Sequence, residues 1–383
     1  MMHIQFLVRN LLFGTDESSY FMFLIRYLFD KNVALESLMF SVACAVSFAV
    51  GYILLYKRKK TLNYPLTTCN YSAANSLIWV IFIAGLVQVI ANLYLALSNG
   101  FDYEAIAQVQ QNSSFVFELR VIFLLLLSYL LLNIPIGVLI SEKRYRVLKL
   151  IFIAYLVSVI LGQARSRVFE LFGVVGFSYF MWNGDRIRFK YILGMFFALI
   201  APNIIVLGRL GIPESLEELV SGLFSFEYTI LFNNILSAAI DTGSDFIQEF
   251  TFTDSLPLII PSPIRAMLGI IVEKADYYSE LSQIASVGGG GFSFLAEMFT
   301  NFGWSAPMLF FCIGTVIGRL NYKASFVGQV GIINATAPLI YLAFIMAFRN
   351  DLGVLIKYVI QLFFVAVILR LFIKKTTIQN NFQ

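Results

Sequence analysis

Long apolar runs recur along the chain and dominate its pattern of hydrophobic and polar positions. A helix that crosses a membrane needs about 20 apolar residues, whereas a barrel strand needs alternating segments of about ten. The runs predict nine spans, at Val33–Tyr56, Ala74–Leu97, Val116–Ile140, Leu148–Gly162, Val168–Trp182, Tyr191–Leu207, Phe302–Gly318, Ile332–Phe348 and Leu352–Phe372. The pattern therefore indicates an all-α polytopic membrane protein.

The first 32 residues are apolar but are interrupted by Arg9, Asp16, Glu17 and Arg26. They lack the clean hydrophobic region and small-residue cleavage site of a signal peptide. We expect interfacial helices here, with an extra span as the alternative. The predicted single membrane domain (1–383) thus comprises this N-terminal segment (1–32), six spans (33–207), a long loop (208–301), three spans (302–372) and a tail (373–383).

Composition excludes several classes of protein. Of the 383 residues, 59% are hydrophobic and 13% are charged, whereas soluble domains average about 25% charged residues. His3 is the only histidine, and the three cysteines form no CxxC pair, so zinc sites, haem ligands and Ser-His-Asp triads are not expected. The chain lacks a P-loop and a GxGxxG motif. We expect no cofactor, no metal and no nucleic-acid partner.

Basic residues are concentrated on one side of the predicted spans. The loops on that side hold 16 of the 27 lysines and arginines but only two of the 23 acidic residues. The positive-inside rule assigns this side to the cytoplasm, together with the C-terminal tail. The chain is therefore expected to form a bundle of about 9–12 transmembrane helices in a bacterial inner membrane, with one long periplasmic loop that contains short helices.

That long loop, residues 208–301, is too apolar and aromatic for disorder. It ends in four consecutive glycines, Gly288–Gly291, which suit either a flexible tether or a backbone that contacts a ligand. From Arg209 to Glu297 its net charge is −9, which would repel anions at long range. Screening beyond about 8 Å still allows local arginines to bind phosphate, and a carboxylate-rich surface suits sugar hydroxyls equally well.

Ionisable residues near membrane depth are costly and usually face a cavity or a partner. Arg165 and Arg167 lie between two spans of about 15 residues, too short for a comfortable crossing. An anion site, snorkelling to the surface, or pairing with Glu170 remain alternatives for them. Further candidates, for which capping or ion pairing is the alternative, are Arg209, Glu227, Arg265, Glu297, Asn301, Arg349 and Asp351.

Four places in the sequence carry a resemblance to a known family. They are Gly162–Arg167, Leu207–Arg209 with Phe226–Glu227, Gly290–Glu297 continuing to Asn301–Gly303, and Phe348–Asp351. Together with the topology, they resemble the bacterial O-antigen (oligosaccharide repeat-unit) polymerases of the Wzy type. Arg349-Asn350 departs from the Arg-Gly that such proteins often show.

The resemblance implies a glycosyltransferase that acts on the periplasmic side. It would move a growing glycan from undecaprenyl pyrophosphate to the non-reducing end of a new lipid-linked repeat unit. Membrane lipid and a chain-length regulator protein are the other expected partners. Guanidinium groups stabilise charge that develops on phosphate oxygens, and an outer carboxylate can act as general base. The predicted bases are Glu227, then Glu297 and Asp351. The predicted ligands of pyrophosphate or sugar are Arg165, Arg167, Arg209, Arg265, Asn301 and Arg349.

Three other functions remain open. An O-antigen ligase uses the same donor, but such ligases depend on a histidine in their large periplasmic loop, and this chain has only His3. A flippase or other transporter commonly shows internal repeats, which are not evident here. A structural assembly partner would not need arginines at membrane depth.

Overall fold

The computed structural model describes most of the predicted helical regions. The described residues are 31–55, 71–99, 114–161, 165–183, 227–242, 257, 260, 265, 267–270, 293–328, 330–347 and 352–372. Within them we number the α-helices α1 (Lys31–Leu55), α2 (Tyr71–Ser98), α3 (Ser114–Asn133), α4 (Ile136–Ser141), α5 (Arg146–Leu161), α6 (Arg165–Asn183), α7 (Glu227–Thr242), α8 (Phe294–Phe302), α9 (Ala306–Ala324), α10 (Ala337–Ala347) and α11 (Leu352–Phe372).

The expected all-helical class is confirmed for the described residues, in which there are helices and no strands. Among the described residues, three helical stretches are long and apolar enough to cross a membrane: Leu35–Leu55, Leu77–Ser98 and Phe294–Ala324. The count of 9–12 spans stays a prediction. The predicted span Tyr191–Leu207, the N-terminal segment up to residue 30 and the glycine run lie outside the described residues.

Apolar side chains cover much of the outer surface of the helices. On α1, Leu35, Val46 and Ile53 are more than half exposed, and on α2 the same holds for Trp79 and Ile90. A soluble monomer rarely exposes apolar patches of this extent. Such a surface is expected where lipid contacts the protein, and it supports the prediction of a membrane protein.

Helices α1 and α9 approach each other closely because glycines line their contact. Gly314 and Gly318 form a GxxxG pair on α9, and Gly51 lies on α1. A methyl group added at Gly314 would overlap the carbonyl oxygen of Phe48, and one added at Gly51 would overlap that of Phe311. Without a hydrophobic driving force between helices in lipid, such backbone proximity is a main source of packing energy.

Substituting Gly314 with alanine should destabilise the protein by about 1–3 kcal/mol, because the new methyl group forces the two backbones apart. Gly176 on α6 is the matched control, since a methyl group there would meet nothing within 4 Å. Gly176→Ala should be neutral or stabilising by up to about 1 kcal/mol. Unfolding of the detergent-purified variants would test this difference, and equal stability of the two would contradict it.

The predicted span Val116–Ile140 is wrong as one continuous helix. Helix α3 ends at Asn133, and α4 starts at Ile136 after a break at Pro135. Proline lacks an N–H group and disfavours the helical conformation of the residue before it. A run of apolar residues therefore continues through a bend that hydropathy does not detect.

The predicted span Ile332–Phe348 also begins differently. A non-helical segment and a 3-10 turn (Asn334–Thr336) precede α10, which starts only at Ala337. Side chains of α3 bind this segment: the Asn133 amide donates to Val330 O (3.0 Å) and accepts from Val330 N (2.9 Å), and Ser128 Oγ donates to Ala335 O (2.7 Å). These bonds satisfy backbone groups that a regular helix would otherwise pair internally.

Two helices of the predicted long loop pack into the bundle. On α7, residues 235–240 are buried, and Ser237 Oγ lies 2.9 Å from Ser37 Oγ of α1. On α8, residues 294–300 are buried, and Ser293 caps the helix by accepting a hydrogen bond from Ala296 N. Both helices contribute to the core, and α8 is also the first part of the apolar stretch Phe294–Ala324.

Candidate functional site

Polar side chains from four neighbouring helices meet inside the bundle. Helices α2, α3, α5 and α6 all bury hydrogen-bonding groups at this place, where most of the surrounding core is apolar. We call this set the buried polar cluster, and its members are Asn92, Arg120, Tyr155, Ser158, Arg167 and Glu170.

Each member of the cluster lies within six residues of a helix end, at Ser98, Ser114, Leu161 or Arg165. At 1.5 Å of rise per residue, the cluster is about 9 Å or less from those ends. The distribution of basic residues predicts that these ends face the outer side of the membrane. The opposite end of α3 leads to the basic residues before α5. The cluster therefore lies towards the end remote from the basic loops.

Arg120 of α3 and Glu170 of α6 form an ion pair, with Arg120 Nε 3.5 Å from Glu170 Oε2. Both side chains are only 8% exposed. Two charges buried this deeply lose their hydration, and their mutual attraction has to compensate for it. A buried ion pair is an unusual feature among apolar helices, and ionisable groups in such surroundings are candidates for a functional site.

Arg167 is held by a chain of hydrogen bonds that crosses three helices. Ser158 Oγ donates to the backbone oxygen of Tyr155 (2.8 Å), and Asn92 Nδ2 donates to Ser158 Oγ (3.3 Å). Arg167 Nη1 then donates to Asn92 Oδ1 (2.5 Å). Because the serine proton is used on the backbone, the serine must accept from the amide nitrogen. This turns the amide oxygen of Asn92 towards the guanidinium.

Two tyrosines lie near these charges. The Tyr155 side chain is fully buried, and its hydroxyl has no hydrogen-bond partner among the described residues. Tyr358 on α11 is close enough to Arg120 and Glu170 to interact with them electrostatically. A buried hydroxyl without a partner is costly, and beside two guanidinium groups it could donate to an anionic ligand.

The structure brings one of the predicted site residues, Arg167, into the cluster. Its predicted alternatives were an anion site, snorkelling, or pairing with Glu170. Arg167 is 7% exposed, so its side chain is buried among the helices. The ion pair of Glu170 is formed with Arg120, and the hydrogen-bond partner of Arg167 is Asn92.

Three more predicted residues are described elsewhere in the fold. Glu297 lies on α8 and is fully buried, and Asn301 donates from Nδ2 to the backbone oxygen of Glu297 (2.7 Å). Arg265 is half-buried, and its carbonyl accepts from Ile270 N (3.0 Å). The roles of these three residues stay predictions.

The remaining predicted residues cannot be placed. The backbones of Arg165 and Glu227 begin α6 and α7, but their side chains lie outside the described residues. Arg209, Arg349 and Asp351 lie outside them entirely. Their predicted roles rest on the sequence.

Sequence reasoning missed Arg120, Asn92, Tyr155 and Ser158. A signal for Arg120 was present, because it is a charged residue inside the predicted span Val116–Ile140. The other three are ordinary residues of apolar helices, and only tertiary packing shows that they converge.

The chemistry of the cluster suits an anion. Guanidinium, amide and phenol groups donate hydrogen bonds, and within the described residues no group of three or more His, Cys, Asp or Glu could hold a metal ion. Comparison of the chain with protein-family models, curated proteins and solved structures gave no match.

Proposed function

We propose that this protein is a polymerase of lipid-linked oligosaccharide repeat units, a membrane-embedded glycosyltransferase with a polyprenyl-pyrophosphate-linked donor. It would transfer the growing glycan from undecaprenyl pyrophosphate to the non-reducing end of a new lipid-linked unit, on the periplasmic face of a bacterial inner membrane. The resemblance in sequence motivates the reaction, and the buried polar cluster supports it.

One observation carries the proposal: two arginines that interact electrostatically, Arg120 and Arg167, are buried within the helices, and Glu170 pairs with Arg120. The transfer breaks a bond between a sugar and a phosphate, so negative charge develops on the leaving pyrophosphate. Preorganised guanidinium groups in a site of low dielectric stabilise such charge most effectively. A lipid-linked substrate would also bring its pyrophosphate to about the depth of these side chains.

The acceptor hydroxyl must lose a proton during the transfer, which requires a general base. Glu227 is the first candidate, with Glu297 and Asp351 as alternatives. Glu170 is less suited to this role because it is engaged with Arg120. Arg209 and Arg349 are proposed as further pyrophosphate ligands from the outer loops.

Deletion of the gene in its native host, followed by electrophoresis of the surface glycolipids, would test the proposal. A polymerase predicts that the ladder of long chains collapses to core plus one repeat unit, and that the wild-type gene restores it. An unchanged ladder would refute the proposal. Repeat units retained on the cytoplasmic side would indicate a flippase, and long lipid-linked chains without transfer to the core would indicate a ligase.

A further inference from the structure

The partner of Arg167 is neutral, although a charged partner would fit the same place. Asn92 Oδ1 accepts from Arg167 Nη1, and the amide is isosteric with a carboxylate. The neighbouring arginine, Arg120, has a carboxylate partner in Glu170. With two guanidinium groups and one described carboxylate, the cluster carries a formal charge of +1.

An excess charge of this kind is expensive in the interior of a membrane bundle. If Arg167 served only to join helices, an aspartate at position 92 could do so and neutralise the charge in the same space, with the Ser158 hydroxyl turned to donate to the new carboxylate. The asparagine instead holds the guanidinium by a hydrogen bond and adds no negative charge beside it. A second group lacks a partner here too, since the buried Tyr155 hydroxyl has none among the described residues.

We infer that Arg167 and the Tyr155 hydroxyl form a binding site for a phosphoryl oxyanion, and that Asn92 is the positioning residue that keeps this site positively charged. The ligand supplies the negative charge that is missing from the cluster. Ser158 fixes the amide orientation of Asn92, and Glu170 neutralises Arg120. This inference rests on the proposed function for the identity of the natural ligand, which is the pyrophosphate of the lipid-linked donor.

A purely structural role of Asn92 would not make protein stability and ligand binding change in opposite directions, whereas this inference predicts that they do. Asn92→Asp should raise the melting temperature of the purified protein, because the new carboxylate pairs with Arg167. The same carboxylate should compete with an anionic ligand for that arginine. Stability and ligand binding should therefore change in opposite directions.

The experiment uses the full chain in detergent and measures its melting temperature with and without inorganic pyrophosphate. A ligand that binds only the native state raises this temperature with its concentration. Wild-type protein should be stabilised, and in Asn92→Asp the apparent affinity should fall by about 10- to 100-fold. Gln88→Glu is the matched control, because it introduces the same charge one helical turn away on the same buried face of α2. It should not raise the melting temperature and should keep the response to pyrophosphate.

Two further variants keep the test informative if the Asn92→Asp protein does not fold. Arg167→Gln removes the positive charge and should abolish the response to pyrophosphate, while Tyr155→Phe should weaken it without loss of stability. A wild-type response that persists in Arg167→Gln would overturn the inference, as would equal pyrophosphate shifts in Asn92→Asp and wild type. Absence of any wild-type response to pyrophosphate or to undecaprenyl pyrophosphate would also overturn it.

The source of the oxyanion follows from the same measurement. Stabilisation by undecaprenyl pyrophosphate alone would assign the site to a lipid headgroup, and stabilisation by inorganic pyrophosphate would assign it to the phosphoryl group itself. Both outcomes support the site. Binding is measured without sugar transfer. An unchanged glycolipid ladder after gene deletion would therefore refute the polymerase function without refuting this anion-binding site.

Discussion

Replacing Glu170 with leucine should destabilise the protein by about 3–5 kcal/mol, which is the usual cost of removing one partner of a buried ion pair. The substitution keeps most of the side-chain volume, so the loss reports charge and not a cavity. It leaves Arg120 and Arg167 buried near each other without their described carboxylate. The formal charge of the cluster would rise from +1 to +2.

The partner substitution Arg120→Leu should cost less. Glu170 would then remain with Arg167, which already interacts with it electrostatically, and the formal charge of the cluster would fall to zero. The double variant, Arg120→Leu with Glu170→Leu, should recover much of the loss caused by Glu170→Leu, since apolar residues of similar size often replace a buried pair at little cost.

Equilibrium unfolding in detergent, performed as a double-mutant cycle, measures these differences. The test is which of the two single variants loses more stability. If Arg120→Leu lowered the free energy of unfolding more than Glu170→Leu, the carboxylate would not be the charge on which the stability of the cluster depends most.

Within the described residues, hydropathy locates two of the long helices closely, because lipid requires long apolar segments with internally paired backbones. Helix α2 (Tyr71–Ser98) and the predicted run Ala74–Leu97 agree within three residues at each end. Helix α11 (Leu352–Phe372) and its predicted run have the same bounds. In both cases one uninterrupted apolar run corresponds to one helix.

Hydropathy fails where backbone hydrogen bonds are satisfied by something other than the helix itself. At Pro135 the apolar run continues but the helix bends, because a proline cannot donate. Before Ala337 the chain is apolar and yet non-helical, since Asn133 and Ser128 supply the missing partners. Those partners are about 200 residues away along the chain, and no local pattern indicates them.

The same difference between local pattern and long-range contacts applies to the buried polar cluster. Arg167 could be singled out because a charge between two short spans conflicts with its surroundings. Its contact with Asn92 joins residues 75 positions apart, and its neighbour Arg120 comes from a third helix. The sequence can therefore identify a charged residue in predicted apolar surroundings, but it does not show which charges share one site.

The largest effect on activity is expected for Arg167→Ala. Removing one preorganised donor to developing charge lowers an enzymatic rate by about 10²–10³-fold, so this variant should fail to restore the glycolipid ladder in the deletion strain. Protein level in the membrane should be retained, because the substitution also removes the uncompensated charge of the cluster. Arg319→Ala is the matched control, since Arg319 is an exposed arginine near the opposite end of the bundle, on α9.

Arg167→Lys decides whether charge alone is enough. Lysine keeps the positive charge, but its ammonium is a point charge that lacks the planar fork of a guanidinium. In the wild type, Nη1 of Arg167 is engaged with Asn92, and the remaining N–H groups of the same plane can bind phosphate oxygens. An ammonium held by Asn92 cannot reproduce that second set of donors, so lysine should restore the ladder poorly. Full restoration by lysine would mean that Arg167 acts through net charge, and full activity of Arg167→Ala would exclude it from the reaction.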